Sequence, residues 1–274
     1  MTIAARSILF VPGDRAERFE KARASGADMV VIDLEDAVLP DRKCAARDAV
    51  HDALAGLTEP RFVVRVNSLD TDWHADDVRA LAALPGVAGL MLPKAERASD
   101  FAAMREASGG KPLHALVETV SAILNLAELV AAPGLSRLSF GTVDFQADAG
   151  IDGDRAEIDH VRTQIVLQSR SAGLAAPVDG VSTDLSDDAA LESDTQHARR
   201  FGFGGKLCVH PRQVAVVNRA FLPSDADVDW ATRVMSAIDG AFGAVAVDGK
   251  LIDKPVVDRA RRLLATHDAF RSAA

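Results

Sequence analysis

Two carboxylates of this 274-residue chain stand where short apolar runs end. Glu118 directly follows the run Leu113–Val117, and Asp144 comes shortly after Phe140, which ends the next run. If these runs are neighbouring parallel strands, their carboxyl ends meet and the two side chains lie close together. Carboxylate oxygens bind hard divalent cations, with water and substrate oxygens completing the shell. The pair predicts a metal site, although each carboxylate merely capping a following helix is an open alternative.

A buried arginine is the second candidate for chemistry. Arg65 lies inside the apolar run Phe62–Val66, where an unpaired cation would be costly. Its planar guanidinium suits a substrate carboxylate or carbonyl oxygen. The alternative is a buried ion pair with the acids that follow the preceding run, Asp33, Glu35 or Asp36. Both roles can coexist in one arginine.

Short apolar runs that alternate with helical stretches must position these side chains. Parallel strands covered on both faces give such runs, and eight of them are the number in a (β/α)8 TIM barrel. Nearly every run ends in polar, Gly or Pro residues, which favours the barrel over an open doubly wound sheet. The runs are Ser7–Val11, Met29–Ile32, Phe62–Val66, Gly89–Leu92, Leu113–Val117, Leu138–Phe140, Val178–Val181 and Leu207–Val209.

The chain is longer than this barrel requires. We predict a TIM-barrel catalytic domain over residues 1–222 and a C-terminal helical extension over residues 223–274. In the extension, helices are expected near Val228–Phe242 and Pro255–Ala269, on either side of the turn-rich segment Asp248–Pro255.

The composition excludes several classes of partner. The chain has 31 Lys plus Arg against 40 Asp plus Glu, a formal net charge of -9, whereas nucleic acids and anionic membranes attract concentrated cations. No apolar run approaches the roughly 20 residues of a membrane span, and no signal peptide is recognisable. We therefore expect a cytoplasmic protein with neither a membrane nor a nucleic-acid partner. Cys44 and Cys208 form no zinc or redox motif.

Seven short motifs carry a family resemblance. They are Arg6-Ser-Ile-Leu-Phe-Val-Pro-Gly13, Asp33-Leu-Glu-Asp-Ala-Val38, Val64-Arg-Val-Asn67, Leu92-Pro-Lys-Ala95, Val117-Glu-Thr119, Phe140-Gly-Thr-Val-Asp144 and Val209-His-Pro-Arg-Gln213. Each motif is weak alone. In this order they resemble the citrate lyase beta-subunit-like branch of the HpcH/HpaI aldolase superfamily, over nearly the whole chain.

The resemblance implies an enzyme and assigns roles to residues. Mg²⁺ would be held by Glu118 and Asp144, and Arg65 would contact the substrate. Acyl-CoA lyases of this group also use an aspartate from a C-terminal segment that reaches a neighbouring subunit. The segment Leu251–Pro255 matches that motif and makes Asp253 the corresponding residue, unless Asp253 only caps the helix near Pro255. By the same analogy the protein is a homo-oligomer, a trimer.

The reaction implied is cleavage of a carbon–carbon bond. A β-hydroxyacyl-CoA of the citramalyl-CoA, malyl-CoA or citryl-CoA type would give an acyl-CoA such as acetyl-CoA and a keto acid. We expect Glu118, Gly141 and Thr142 to bind substrate with Arg65, and Asp33, Glu35 and Asp36 to support them. The backbone N–H groups of the turn from Gly141 to Asp144 would hold the carboxylate. Candidate cations for the CoA phosphates are Arg6, Arg15, Lys43 and Arg47.

Three other functions stay open. A citrate lyase beta subunit would act on a citryl group bound to an acyl carrier protein. An aldolase for free aldehydes would favour a histidine base, for which the sequence offers no clear candidate. A non-catalytic metabolite-binding homologue would have no reason to keep Arg65, Glu118, Asp144 and Asp253 together.

Overall fold

The computed structural model describes residues 5–239 and 245–271, and eight parallel strands in it close into a barrel in chain order. The predicted TIM barrel is therefore confirmed. Closure is direct, because β1 pairs with both β2 and β8. The strands are β1 Ser7–Pro12, β2 Met29–Asp33, β3 Phe62–Arg65, β4 Val87–Leu92, β5 Leu113–Val117, β6 Leu135–Phe140, β7 Val178–Asp179 and β8 Gly205–Cys208.

One buried apolar cluster joins strands around the barrel and fills its interior. Its members are Ala5, Ile8, Val31, Val63, Met91, Leu116, Val178 and Leu207. Side chains two residues apart on a strand point to the same face. The side chains two residues beyond Val31, Val63 and Leu116 therefore lie above this cluster, and they are Asp33, Arg65 and Glu118. The two-residue period of the strands thus brings the predicted site residues to one end of the barrel.

Helices follow most strands of the barrel. After β5, the helical stretch is divided at Asn125 into two short helices. A helix not predicted at all follows β6 at Thr142–Ala149. The helices of the barrel unit are α1 Phe19–Arg23, α2 Lys43–Ala55, α3 His74–Leu81, α4 Ala102–Ala107, α5 Val120–Leu124, α6 Leu126–Leu129, α7 Thr142–Ala149, α8 Asp159–Ser171, α9 Asp188–Phe201 and α10 Arg212–Ala220.

The chain divides into two compact units, Met1–Asn218 and Arg219–Ala274. The second contains α11 Asp225–Ile238, β9 Val245–Val247, β10 Lys250–Ile252 and α12 Lys254–Arg271. Ala231, Val234 and Ala260 are buried in its own small core. The predicted end of its first helix, Phe242, lies outside the described residues.

A β-hairpin replaces part of the segment that the sequence predicted as turn-rich. β9 and β10 are antiparallel, and the connecting Asp248 and Gly249 both have positive φ, 51° and 73°. An Asp-Gly pair with this backbone matches the right-handed twist of a two-residue hairpin. Within residues 5–239 and 245–271, no helix has the length and apolar character of a membrane span.

Candidate active site

A cavity of about 350 Å³ opens at the carboxyl ends of the barrel strands. Active sites of TIM barrels are built at this end, from the loops that follow the strands. Most of the predicted site residues meet here. The lining consists of Phe10, Pro12, Asp33, Asp36, Ala37, Arg65, Leu116, Glu118, Gly141, Thr142, Val143, Asp144, Val181, Leu207 and Val209.

Arg65 lies among the acids that the sequence proposed as its partners. Its Nε and Nη2 donate to the two Asp33 carboxylate oxygens at 2.7 and 2.6 Å. Its Nη1 forms ion pairs with Glu35 at 2.8 Å and with the more exposed Asp36 at 3.5 Å. Burial alone would lower the pKa of Arg65, but the Asp33 charge and hydrogen bonds outweigh this and raise it. Arg65 is thus a paired cation that also lines the cavity.

Asp33 organises the loop after β2 as well as the arginine. Its carboxylate accepts hydrogen bonds from the backbone N–H groups of Glu35 and Ala37, at 2.8 and 3.1 Å. Glu35 is buried, and burial raises the pKa of its carboxyl despite the opposing charge of Arg65. All three acids thus lie within ion-pair distance of Arg65, with Asp33 and Glu35 making the close contacts.

The two carboxylate oxygens of Glu118 differ in their hydrogen bonding. Oε1 accepts a hydrogen bond from the backbone N–H of Lys94 at 2.8 Å, whereas Oε2 is buried without a hydrogen-bond partner in the described structure. Burial is the largest cause that raises the pKa of Glu118 to about 8, and the charges of Glu35 and Asp144 add to it. A buried carboxylate with an unpartnered oxygen and a raised pKa is poised to gain from a nearby positive charge.

Asp144 lies in the first turn of α7, and its side chain is exposed at the cavity. The predicted turn from Gly141 to Asp144 is wrong: Gly141 is the N-terminal cap of this helix. The N–H of Gly141 donates to Val117 O at 2.9 Å and so does not face a ligand. The next N–H groups, of Thr142 and Val143, have no partner within the helix by its geometry, and both residues line the cavity.

Glycine is required at position 141. A Cβ added there would lie 2.5 Å from Glu118 Oε2 and 2.6 Å from Glu118 Cβ. Both distances are far below a normal van der Waals contact, so a larger residue would push the Glu118 carboxylate from its place.

The donor set fits a hard divalent cation. Glu118 Oε2 is an unpartnered buried oxygen, and Asp144 is close enough for its charge to raise the Glu118 pKa. Within the part of the chain that the structure describes, no group of three or more His, Cys, Asp or Glu could hold a metal ion. A cation bound here would therefore take most of its shell from water or substrate oxygens, as Mg²⁺ usually does.

The candidate cations for CoA phosphates are mostly engaged elsewhere. Arg6 precedes β1, at the opposite end of the barrel, and its Nε donates to Asp28 at 2.8 Å. Lys43 is buried, with its ammonium on the backbone carbonyls of Leu34 and Glu35 at 2.8 and 2.7 Å. Those two assignments are wrong.

The other two candidate cations lie outside the barrel interior. Arg47 forms an ion pair with the buried Asp77 at 3.4 Å, so it too has a structural partner. Arg15 is half-exposed, with Asp14 3.8 Å away. Arg15 is more exposed than Arg6 and Arg47, so of the four candidates it is the one that stays open for a phosphate contact.

Sequence reasoning missed Lys94 as a member of the site. It follows β4, hydrogen-bonds Glu118 through its backbone, and reaches Glu35 Oε1 with its ammonium at 2.6 Å. The signal was available, since Lys94 is a polar residue after an apolar run, like the other site residues.

Asp253 belongs to the second unit. There its Oδ1 accepts a hydrogen bond from the Val256 N–H at 3.2 Å and caps α12. The capping alternative is therefore realised.

Comparison with known proteins places the chain in a family. Residues 6–211 match the family described as HpcH/HpaI aldolase/citrate lyase. A (3S)-malyl-CoA thioesterase of Cereibacter sphaeroides is 35% identical, covering 97% of this chain and 95% of the relative. A citrate lyase subunit beta-like protein of Mycobacterium tuberculosis is 38% identical, covering 93% of both chains.

A solved structure extends this similarity to the fold. It is the crystal structure of CitE from Mycobacterium tuberculosis in complex with magnesium, acetoacetate and coenzyme A, which is 36% identical with a TM-score of 0.86. The alignment covers 98% of this chain and 100% of that one. Sequence and fold agree, and the chain belongs to the HpcH/HpaI aldolase/citrate lyase family, as an enzyme of its citrate lyase beta-like group.

Proposed function

We propose that this protein is a Mg²⁺-dependent carbon–carbon lyase that cleaves a β-hydroxyacyl-CoA into an acyl-CoA, such as acetyl-CoA, and a keto acid. The observation that carries the proposal is one cavity that holds Arg65, Asp144 and the unpartnered Oε2 of Glu118. The relative bound to magnesium, acetoacetate and coenzyme A supports both the cation and the thioester.

Glu118 and Asp144 would hold the cation. When bound, Mg²⁺ supplies a Lewis acid that polarises a substrate oxygen and fixes its orientation. The raised pKa of Glu118 has a purpose in this reading, because a carboxyl that is costly to ionise alone gains most from a cation. The unpartnered oxygen is then a ligand position and not a packing defect.

The residues of the chain account for the remaining needs of a retro-Claisen cleavage. The bond between the carbinol carbon and the thioester α-carbon breaks, the hydroxyl releases its proton to water as its oxygen becomes the keto oxygen, and the α-carbon takes up a proton. Arg65 would balance negative charge on the hydroxyl oxygen of the substrate, since the Arg65 guanidinium is already oriented by Asp33. The N–H groups of Thr142 and Val143 would orient the substrate carboxylate.

The proton for the α-carbon is assigned to Asp253. We retain the proposal that residues 1–222 form the catalytic domain and residues 223–274 an extension that brings Asp253 to a neighbouring subunit, in a homotrimer. Asp253 caps α12 through Oδ1, and the other oxygen of the same carboxylate can exchange a proton.

We also propose that the enzyme works in the cytoplasm.

The cavity favours a keto acid with a single carboxylate. Part of its lining is apolar, formed by Phe10, Leu116, Val181, Leu207 and Val209. In the described structure, Arg65 is the one cation in the lining, against four acids. A second substrate carboxylate would meet no further positive charge. We therefore propose malyl-CoA or citramalyl-CoA as substrate, releasing glyoxylate or pyruvate, in preference to citryl-CoA.

Hydrolysis of the same thioester is a second candidate, because one relative is a (3S)-malyl-CoA thioesterase. A thioesterase would release free CoA and the intact hydroxy acid. The lyase would release acetyl-CoA and the keto acid. In both cases the cavity would bind the same β-hydroxyacyl-CoA.

The test is product analysis by mass spectrometry of the purified protein with Mg²⁺ and a panel of hydroxyacyl-CoA thioesters. Acetyl-CoA that disappears with EDTA supports the lyase, and free CoA with hydroxy acid supports the thioesterase. Turnover of citryl-acyl carrier protein alone would identify a citrate lyase beta subunit. No binding and no turnover of any thioester would leave a non-catalytic metabolite-binding homologue.

A further inference from the structure

Lys94 adopts a backbone conformation that a lysine rarely takes. Its φ is 49°, and among the described residues Asp248 is the one other non-glycine residue with positive φ. The left-handed region brings Cβ close to the carbonyl oxygen and is unfavourable for side chains of this kind. Such a conformation persists when surrounding contacts hold it, and it concentrates at functional sites.

The contacts that hold Lys94 are two carboxylates of the site. Its backbone N–H donates to Glu118 Oε1 at 2.8 Å, and its ammonium donates to Glu35 Oε1 at 2.6 Å. β4, which Lys94 follows, lies between the strand that carries Arg65 and the strand that precedes Glu118. Lys94 therefore connects the predicted metal ligand to the acids around the arginine.

Each of these two hydrogen bonds occupies one carboxylate oxygen and so determines which oxygen of Glu118 and of Glu35 can bind another group. With Oε1 of Glu118 on the Lys94 N–H, Oε2 is the oxygen left without a partner. With Oε1 of Glu35 on the ammonium, Oε2 faces Arg65 Nη1 at 2.8 Å. The other lysine near Glu35, Lys43, bonds backbone carbonyls instead of the carboxylate.

We propose that Lys94 is a positioning residue that serves both halves of the site. Its backbone N–H orients Glu118, and its ammonium holds Glu35 so that Glu35 can hold Arg65. The inference rests on the proposed function, because it assigns Arg65 to the keto acid and Glu118 to the cation. It predicts that the ammonium and the backbone N–H have separable effects.

A surface ion pair would behave differently. Exposed pairs contribute little, since solvent screens them and the side chains lose entropy. Here the Glu35 side chain is only 6% exposed, while that of Lys94 is 40% exposed. Loss of the ammonium leaves a buried carboxylate with Arg65 alone, so the position of the guanidinium should change while the rest of the fold stays.

The experiment measures Mg²⁺ and pyruvate affinity separately by calorimetry, on the full-length protein, with pyruvate titrated at saturating Mg²⁺. Lys94→Met should weaken pyruvate binding about tenfold, the size expected for a charge-assisted hydrogen bond. Mg²⁺ affinity should stay within about threefold, because the N–H to Glu118 belongs to the backbone. Lys94→Arg should restore pyruvate binding, and Lys94→Met should add nothing to a Glu35→Gln variant.

Three results would overturn the inference. Lys94→Met could bind pyruvate like the wild type, it could lose both affinities equally, or its loss could multiply with that of Glu35→Gln. Circular dichroism and thermal unfolding of each variant separate these results from a failure to fold. If the wild-type protein binds neither probe, the proposed function fails first, and the baseline titration identifies that case.

Discussion

Asp33 and Arg65 are direct partners in the register of β2 and β3, and two parallel hydrogen bonds of 2.7 and 2.6 Å join their side chains. Neighbouring residues of parallel strands point to the same face, so this contact follows from the barrel itself. The arginine is held in place by contacts within the protein, so orienting it for the proposed substrate would cost little free energy.

Removal of the Asp33 carboxylate should destabilise the protein strongly. Asp33→Ala leaves Arg65 buried with fewer partners, and we expect the free energy of unfolding to fall by about 3 kcal/mol, as when one partner of a buried ion pair is removed. Asp36→Ala is the matched control, because the Asp36 side chain is 57% exposed and should cost below about 1 kcal/mol. Urea unfolding measures both, and equal losses would contradict the assignment.

Mg²⁺ affinity should rise with pH up to about pH 8. The pKa of Glu118 is raised from 4.5 to about 8 without a metal, so below that pH a proton occupies the site. One competing proton makes the affinity rise about tenfold per pH unit. Calorimetric titration from pH 6 to pH 9 measures this slope.

The raised pKa of Glu118 also contributes to the pH dependence of stability in the metal-free protein. The folded protein holds the Glu118 proton more tightly than the unfolded chain. This contribution to stability is fully present below about pH 4.5 and is lost as the pH rises through about 8. Glu118→Gln should abolish Mg²⁺ binding and flatten this part of the pH profile, whereas Glu128→Gln, on the exposed side of α6, should change neither. A wild-type Mg²⁺ affinity in Glu118→Gln would refute the metal site.

A methyl group at position 141 should disable the cation site without unfolding the barrel. The added Cβ would lie 2.5 Å from Glu118 Oε2, so the carboxylate must move and Mg²⁺ affinity should fall at least about tenfold, the loss of one coordinated or hydrogen-bonded contact. Gly56→Ala is the control, since a Cβ there meets nothing within 4 Å. Calorimetry and thermal unfolding report the two effects. Unchanged Mg²⁺ affinity in Gly141→Ala would place the cation elsewhere.

Substitutions at Asp253 can separate its helix-capping role from its proposed role as a general acid. Serine also caps helices, so Asp253→Ser should keep the thermal stability of the second unit and reduce turnover by about 10²–10⁴-fold, the usual contribution of a general acid. Asp253→Asn, which also caps, is a second variant of the same design. Turnover close to wild type in both would remove Asp253 from the reaction.

Sharing of the site between subunits makes a further prediction. Asp253→Ser and Arg65→Ala protomers should each be inactive. A mixed oligomer should regain part of the activity, because some sites combine an intact barrel with an intact extension. Native mass spectrometry establishes that subunits have exchanged. Exchange without recovery would contradict a site completed in trans.

The barrel was predictable because its signals are local. Each strand is a continuous apolar run, and the two-residue period places Asp33, Arg65 and Glu118 at the same end. The hairpin of the second unit was missed, although Asp248-Gly249 between apolar residues is a strong hairpin signal. Helix α7 was missed because Gly141 and Thr142 suggested a turn, whereas Gly141 caps the helix.

The site contacts that escaped prediction are long-range. Lys94 is 24 positions from Glu118 and 59 from Glu35, and no periodicity in the sequence reports such a pair. The partners of Lys43 were hidden for another reason, since its ammonium bonds backbone carbonyls, which every residue carries. Sequence patterns thus predicted the end of the barrel where the candidate site lies, while the hydrogen bonds that orient each side chain are visible only in the folded structure.

The pairing of β1 with β8 also determines when the cavity can exist. Ser7 is in register with Lys206, so the first strand of the barrel can complete its pairing only after the last strand of the barrel has been made. At the usual synthesis rate of roughly 5–20 residues per second, that wait lasts about 10–40 s. During that time β1 can pair with β2, but its second edge lacks the native partner β8. The barrel therefore cannot close before Gly205–Cys208, the residues of β8, have been synthesised.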